Sequence, residues 1–127
     1  MKFMCLVYLD SEGLANLTEA DGVRLTDDTI EADHALKDRG KLILAQPLQG
    51  PEAAVTVKVR RGEISHTDGP FVETKEWLAG FFLINARDMA EALAIAAESP
   101  IARIGAIEVR PTLEQTHSKT GMGRPEV

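Results

Sequence analysis

Apolar side chains fill nearly every position of residues 2–8, Lys-Phe-Met-Cys-Leu-Val-Tyr, the pattern of a strand covered on both faces. Phe3, Cys5 and Val7 point one way, and Met4, Leu6 and Tyr8 point the other. A polar connector over residues 10–20 contains Gly13 and leads to two helix-start signals, at Thr18 with Asp21 and at Thr26 with Asp27 and Asp28. The pattern predicts a helix from about 19 to 39. Its inward stripe is Leu25, Thr29, Ala32 and Leu36, and Gly40 stops it. Residues 41–46 form a second strand closed by Pro47. Residues 54–60 alternate with period two, with Val55, Val57 and Val59 sharing a face, then turn at Arg61-Gly62 and return over 63–67.

Residues 77–85 are a further strand apolar on both sides. Asp88 and Glu91 form a capping box for a second helix with Met89, Ala92, Leu93, Ala96 and Ala97 inward, and Ser99-Pro100 ends it. A last strand covers 104–110 and is broken by Pro111. The order β-α-β, hairpin, β-α-β predicts an α+β fold. It is a ferredoxin-like antiparallel sheet with two helices on one face. Two helices cover only that face, while residues 3–8 and 78–84 are apolar on both. The uncovered side therefore calls for a second copy, giving a homodimer in which two sheets pack face to face as a dimeric α/β barrel. Residues 1–112 make the domain, and the polar, Gly- and Thr-rich residues 113–127 make a C-terminal tail.

Composition narrows the partners. A chain of 127 residues supports one core without disulfides, and the lone Cys5 lies in an apolar strand as a small hydrophobe. Fourteen basic against twenty acidic residues give a net charge of −6, the wrong sign for binding nucleic acid through its phosphates. No apolar stretch approaches the roughly 18 residues of a membrane helix, and the N-terminus carries no export pattern. A cytoplasmic setting with no membrane partner is the expectation.

The densest chemistry lies in Asp68-Gly69-Pro70-Phe71, continued by Val72-Glu73-Thr74-Lys75-Glu76. Pro70 has no backbone N–H, so Asp68 lacks the usual donor for capping its own turn. Its carboxylate either bonds further along, at the N–H of Phe71, or stays available to a ligand. Phe71 is expected to anchor the loop in the core. If the segment is extended, Glu73 and Lys75 share a face; if helical, Glu73 and Glu76 do. His66 stands two residues before Asp68, on the same strand face, where a carboxylate can orient an imidazole as a general base. His34 falls on the solvent side of the first helix, and His117 belongs to the tail. No phosphate loop, CxxC or HExxH pattern occurs, and no permanent cofactor or transition-metal site is expected. Asp68, Glu73 and Glu76 remain a possible carboxylate set for a divalent cation.

The run TDGPFVETKEWLAGFFLI resembles the signature of the DGPF-domain branch of the YCII-related proteins, and Glu108-Val-Arg-Pro111 also falls on that pattern. The resemblance covers about residues 2–112. It implies the dimeric α/β barrel and a candidate pocket. The first functional reading is a small-molecule enzyme without a permanent cofactor, whose pocket lies between sheet and helices. Asp68, Glu73 and His66 would be its acid/base candidates. Lys75 and Arg110 would bind an anionic group, with Glu76, Phe71 and Tyr8 as further substrate contacts. The histidine typical of the plain YCII branch has no counterpart here, since its position falls near Thr29. The alternative is a non-catalytic binding or regulatory module with the same pocket, and the resemblance suggests a link to alternative sigma factors, alongside which relatives of this branch are often found.

Overall fold

The computed structural model describes residues 1–126. Its elements are β1 (Lys2–Asp10), α1 (Ser11–Ala15), α2 (Glu19–Asp38), β2 (Leu42–Pro47), β3 (Val55–Arg60), β4 (Glu63–Asp68), β5 (Glu76–Asn85), α3 (Met89–Glu98) and β6 (Ala106–Pro111). Single turns of 3-10 helix occupy Pro51–Ala53 and Pro100–Arg103.

Four strands pair in the order β2-β5-β1-β6, all antiparallel. Each of the two β-α-β units therefore inserts a strand of the other between its own, the ferredoxin-like arrangement. Phe3, Cys5, Val7, Phe82 and Ile84 line one face and meet Leu36 of α2 with Ala92 and Ile95 of α3, so both long helices cover the same side. Phe3 and Ile84 are at most 1 % exposed and Cys5 is fully buried, which pushes its thiol pKa up to about 11. The edge strands β2 and β6 end in Pro47 and Pro111, where a missing N–H costs no ladder bond.

Caps account for the helix starts. Thr18 accepts from the Asp21 N–H at 3.0 Å while the Asp21 carboxylate accepts from the Thr18 N–H at 3.1 Å, so of the two start signals the first is used. Asp88 accepts from the Glu91 N–H at 2.9 Å. Asp10 caps α1 by accepting from the Gly13 N–H at 2.7 Å, so the expected connector holds a short third helix. Five residues carry too little periodicity to announce it. The last strand begins at Ala106 rather than 104, because the turn at Pro100–Arg103 ends on Ile104 in a helical conformation.

The β3–β4 hairpin stands apart as its own two-stranded ribbon. Arg61 at φ 54° and Gly62 at φ 79° make its turn, both left-handed as a two-residue turn between twisted strands requires. The opposite face of the main sheet carries Met4, Leu6 and Tyr8 against Leu83, Phe81 and Leu78, and these range from half-buried to exposed. Beyond Pro111 the chain hydrogen-bonds back through the Thr112 N–H to the Lys2 carbonyl, folds on itself at Thr116 and Gly123, and pairs Glu126 with Lys2 at 2.6 Å. No helix among the described residues is long and apolar enough to cross a membrane.

Candidate functional site

A bulge shapes the end of the sheet. Between Val7 and Tyr8 the β1–β5 register slips, leaving Ala79 unpaired in the ladder and setting Tyr8 beside Leu78. The freed Ala79 carbonyl accepts the Leu48 N–H at 2.8 Å, which swings the chain after β2 alongside β5. Gly80, next to the bulge, admits this approach: a Cβ there would come within 3.1 Å of Pro47 Cα. Gly105 does the same on the β6 side, where a Cβ would collide with the Tyr8 carbonyl.

The facing wall is built from Gly69 onward. Its N–H donates to the Ala54 carbonyl at 2.7 Å and its carbonyl accepts the Thr56 hydroxyl at 3.0 Å, so both sides of this residue are tied to β3. Its φ of 101° is one that side chains with a Cβ rarely adopt. From there Pro70, Val72, Glu73 and Thr74 run back to β5, enclosing a cleft of about 1200 Å³ with residues 47–54, Tyr8, Glu76, Trp77 and Leu78. A second hollow of about 680 Å³ shares Tyr8, Thr74 and Glu76 and continues past Lys75 to Ala106 and Glu108. The charged groups of the larger cleft are Glu52, Glu73 and Glu76, and among the described residues no Lys, Arg or His lines it. Its field is negative, and Tyr8 and Trp77 add aromatic surface.

The chain matches the YCII-related domain family over residues 1–116, which takes in both walls of the cleft. This chain belongs to the YCII-related family. It is also 34 % identical over 113 residues to an uncharacterised protein of Rhizobium meliloti, an alignment covering 87 % of this chain and 91 % of that relative.

The YCII-related fold brings Tyr8, Glu73 and Glu76 into one lining and leaves several other candidates apart from it. Asp68 is exposed at the end of β4, its carboxylate accepting no hydrogen bond among the described residues, so the N–H of Phe71 is not its partner. His66 shares its hairpin face, pairing with Val57 as Asp68 pairs with Val55, and neither lines the cleft. Lys75 lies along the smaller hollow with its ammonium 3.9 Å from Glu12. Arg110 is paired with Glu108 on the outer sheet face beside Met4. The two cations expected to hold an anion thus each face a carboxylate.

Phe71 corrects the expectation of a core anchor. It is 71 % exposed, and the Lys58 ammonium stands 4.9 Å from its ring centroid, so the ring is held against the hairpin by a cation–π contact instead. The space also lies elsewhere than expected. The sheet–helix interface is filled by the core, and the cleft opens at the sheet's end, against the loops that flank the hairpin. Trp77 was missed as a lining residue because a strand pattern gives no sign of where its sheet ends. Among the described residues no three metal-ligating side chains converge.

Proposed function

We propose that this protein is a small-molecule enzyme of the DGPF branch of the YCII-related family, acting as a homodimer without a permanent cofactor, with the cleft at the end of the sheet as its site. One observation carries this reading: the motif segment forms a wall that puts the Glu73 and Glu76 carboxylates into the same lining as Tyr8 and Trp77. Two carboxylates and a phenol are groups that can move a proton to and from a bound molecule. In a single copy the negative lining favours a neutral or cationic organic ligand carrying hydrogen-bond donors, and the anion-binding roles of Lys75 and Arg110 give way to structural ion pairs. His66 and Asp68 enter the chemistry only through a neighbouring copy. The apolar outer face of the main sheet supports the dimer, since Met4, Leu6, Phe81 and Leu83 together form one contiguous apolar surface.

The second reading is a binding or regulatory module with the same cleft and no turnover, in keeping with the branch's association with alternative sigma factors. The exposure of Glu73 and Glu76 favours it, because proton transfer gains most from sites that exclude water. Native mass spectrometry of the purified protein, searching for a co-purified small molecule, decides where to begin. With that molecule in hand, Glu73→Gln and Glu76→Gln should each abolish its thermal stabilisation of the fold or its conversion. Stabilisation equal to that of the parent in both variants removes the motif carboxylates from the site. Undiminished binding with no conversion by the parent selects the second reading.

A further inference from the structure

The hairpin holds an alternating stripe that nothing among the described residues covers. Val55, Val57, Val59 and Ile64 are between 57 and 68 % exposed and share one face, while Phe71 and Lys58 close over the other side. A two-stranded ribbon on its own is marginal in water, and four β-branched side chains facing solvent make it more so. Its tip carries Arg60 and Arg61 with Glu63 opposite Arg60 in the ladder, and among the described residues neither guanidinium comes within ion-pair distance of a carboxylate; Arg60 donates to the Val59 carbonyl at 3.1 Å.

The cleft shows the complementary need. Glu52, Glu73 and Glu76 have no ion-pair partner among the described residues, and its rim exposes Leu48, Val72 and Leu78 at 45, 62 and 38 %. A chain cannot satisfy itself here. The hairpin is rooted in the cleft wall at Ala54 and Gly69, so six residues of strand carry its tip about 20 Å beyond that root. The hairpin of another copy is a segment that could bring arginines to them.

We propose that the β3–β4 hairpin is an arm exchanged between two copies of this chain, laying its valine face on the partner's cleft rim and presenting Arg60 and Arg61 to the partner's acidic lining. A twofold arrangement makes the contact twice, tip into cleft and cleft around tip, as an isologous interface requires. The arm roofs the cleft and supplies the cations it lacks. His66 and Asp68, which share the valine face, then point toward the partner, and the site is incomplete in a single copy. This rests on the homodimer proposed above.

Charge exchange tests it. One variant carries Arg60→Glu with Arg61→Asp, the aspartate chosen because position 61 needs a left-handed backbone. The other carries Glu73→Lys with Glu76→Lys. Each variant alone sets like charges together, whereas a mixture restores opposite charges at both contacts. We expect each to dimerise at least about tenfold more weakly than the parent, and native mass spectrometry of the mixture to show a heterodimer excess of about the same size. A statistical mixture with parental affinities, from variants whose circular dichroism and melting match the parent, overturns the exchanged arm. A parent that sediments as a monomer at micromolar concentration instead overturns the dimer on which it rests. Should either charge variant fail to fold, Val57→Ser with Val59→Ser is the substitute: unchanged dimer affinity there counts against the arm, and a tenfold loss supports it.

Discussion

Phe3, Cys5 and Val7 in β1 and Val55, Val57 and Val59 in β3 obey the same rule, an apolar side chain at every second position, yet they meet opposite fates. The first three are at most 8 % exposed and the second three at least 57 %. Two helices explain the difference. α2 and α3 lie across the main sheet and close over β1, whereas among the described residues β3 pairs with β4 alone and its valine face has no layer above it. Alternation therefore identifies a strand and divides its faces, but what covers a face is decided by elements far away in the chain or outside it.

Truncating one residue from each stripe separates the two fates. Phe3→Ala opens a cavity between sheet and helices and should lower unfolding free energy by about 3–5 kcal/mol in urea denaturation. Val57→Ala, at a protein concentration low enough to favour single chains, should change it by no more than about 0.5 kcal/mol. Comparable losses at the two positions would mean that the hairpin is packed within its own chain. Cys5 reports on the same region without a substitution. With its thiol fully buried and its pKa near 11, a thiol reagent at pH 8 should label the native protein far more slowly than the denatured one.

Where the two regions join, Gly69 is the clamp between them. Gly69→Ala places a Cβ at φ 101° and should cost about 1–3 kcal/mol, although nothing lies near enough to collide with it. The strain falls on the clamp to Ala54 and Thr56. Hydrogen exchange should accordingly quicken in β3 and β4 while β1 and β5 keep their protection. Uniform loss across both sheets would show one cooperative unit where two are expected.

Legibility in the sequence divides along the same line. The strands, the long helices, the Thr18 and Asp88 caps and the ferredoxin-like order follow from local patterns, but the inward face of α3 is Ala92, Ile95 and Ala96, while Met89, Leu93 and Ala97, expected inward, are exposed. Capping and periodicity act within a few residues, so a sequence displays them. The cleft follows from a bulge at Ala79, a hydrogen bond from Leu48 and close approaches at Gly80 and Gly105, all of them between segments distant in the chain. Glu73, Glu76 and Tyr8 were singled out from the motif and strand, and Trp77 was not. Phe71 misled because an aromatic ring in a turn usually seeks the core, while here Lys58 gives it a partner on the surface.

A smaller effect separates the regions by pH. Glu91, in the first turn of α3, accepts from the Arg87 N–H at 3.0 Å and from the Lys41 ammonium at 3.0 Å, and these bonds hold its carboxyl below the ordinary value of 4.5. A carboxylate depressed in the folded state stabilises it above that ordinary value, and the contribution fades as pH falls through the folded pKa. Glu91→Gln should therefore melt below the parent at pH 7, and the gap should close as the solution is acidified below about 4.5. A gap that persists at pH 3 would assign the loss to packing rather than to charge.

Asp68→Asn should have the least effect on the fold and is for that reason informative. The carboxylate is exposed and accepts no hydrogen bond among the described residues, while the backbone around it is fixed by Gly69 and Thr56. Asparagine fits the same space, so unfolding free energy should move by no more than about 0.5 kcal/mol. The charge itself is what the change removes. If the valine face of the hairpin meets a second copy, Asp68 lies on that contact, and Asp68→Asn should shift dimer affinity or ligand-induced stabilisation while thermal unfolding of dilute protein stays put. An unchanged dimer and an unchanged ligand response would leave the aspartate of the motif no role beyond the surface of the hairpin, and would put the functional weight on Glu73 and Glu76.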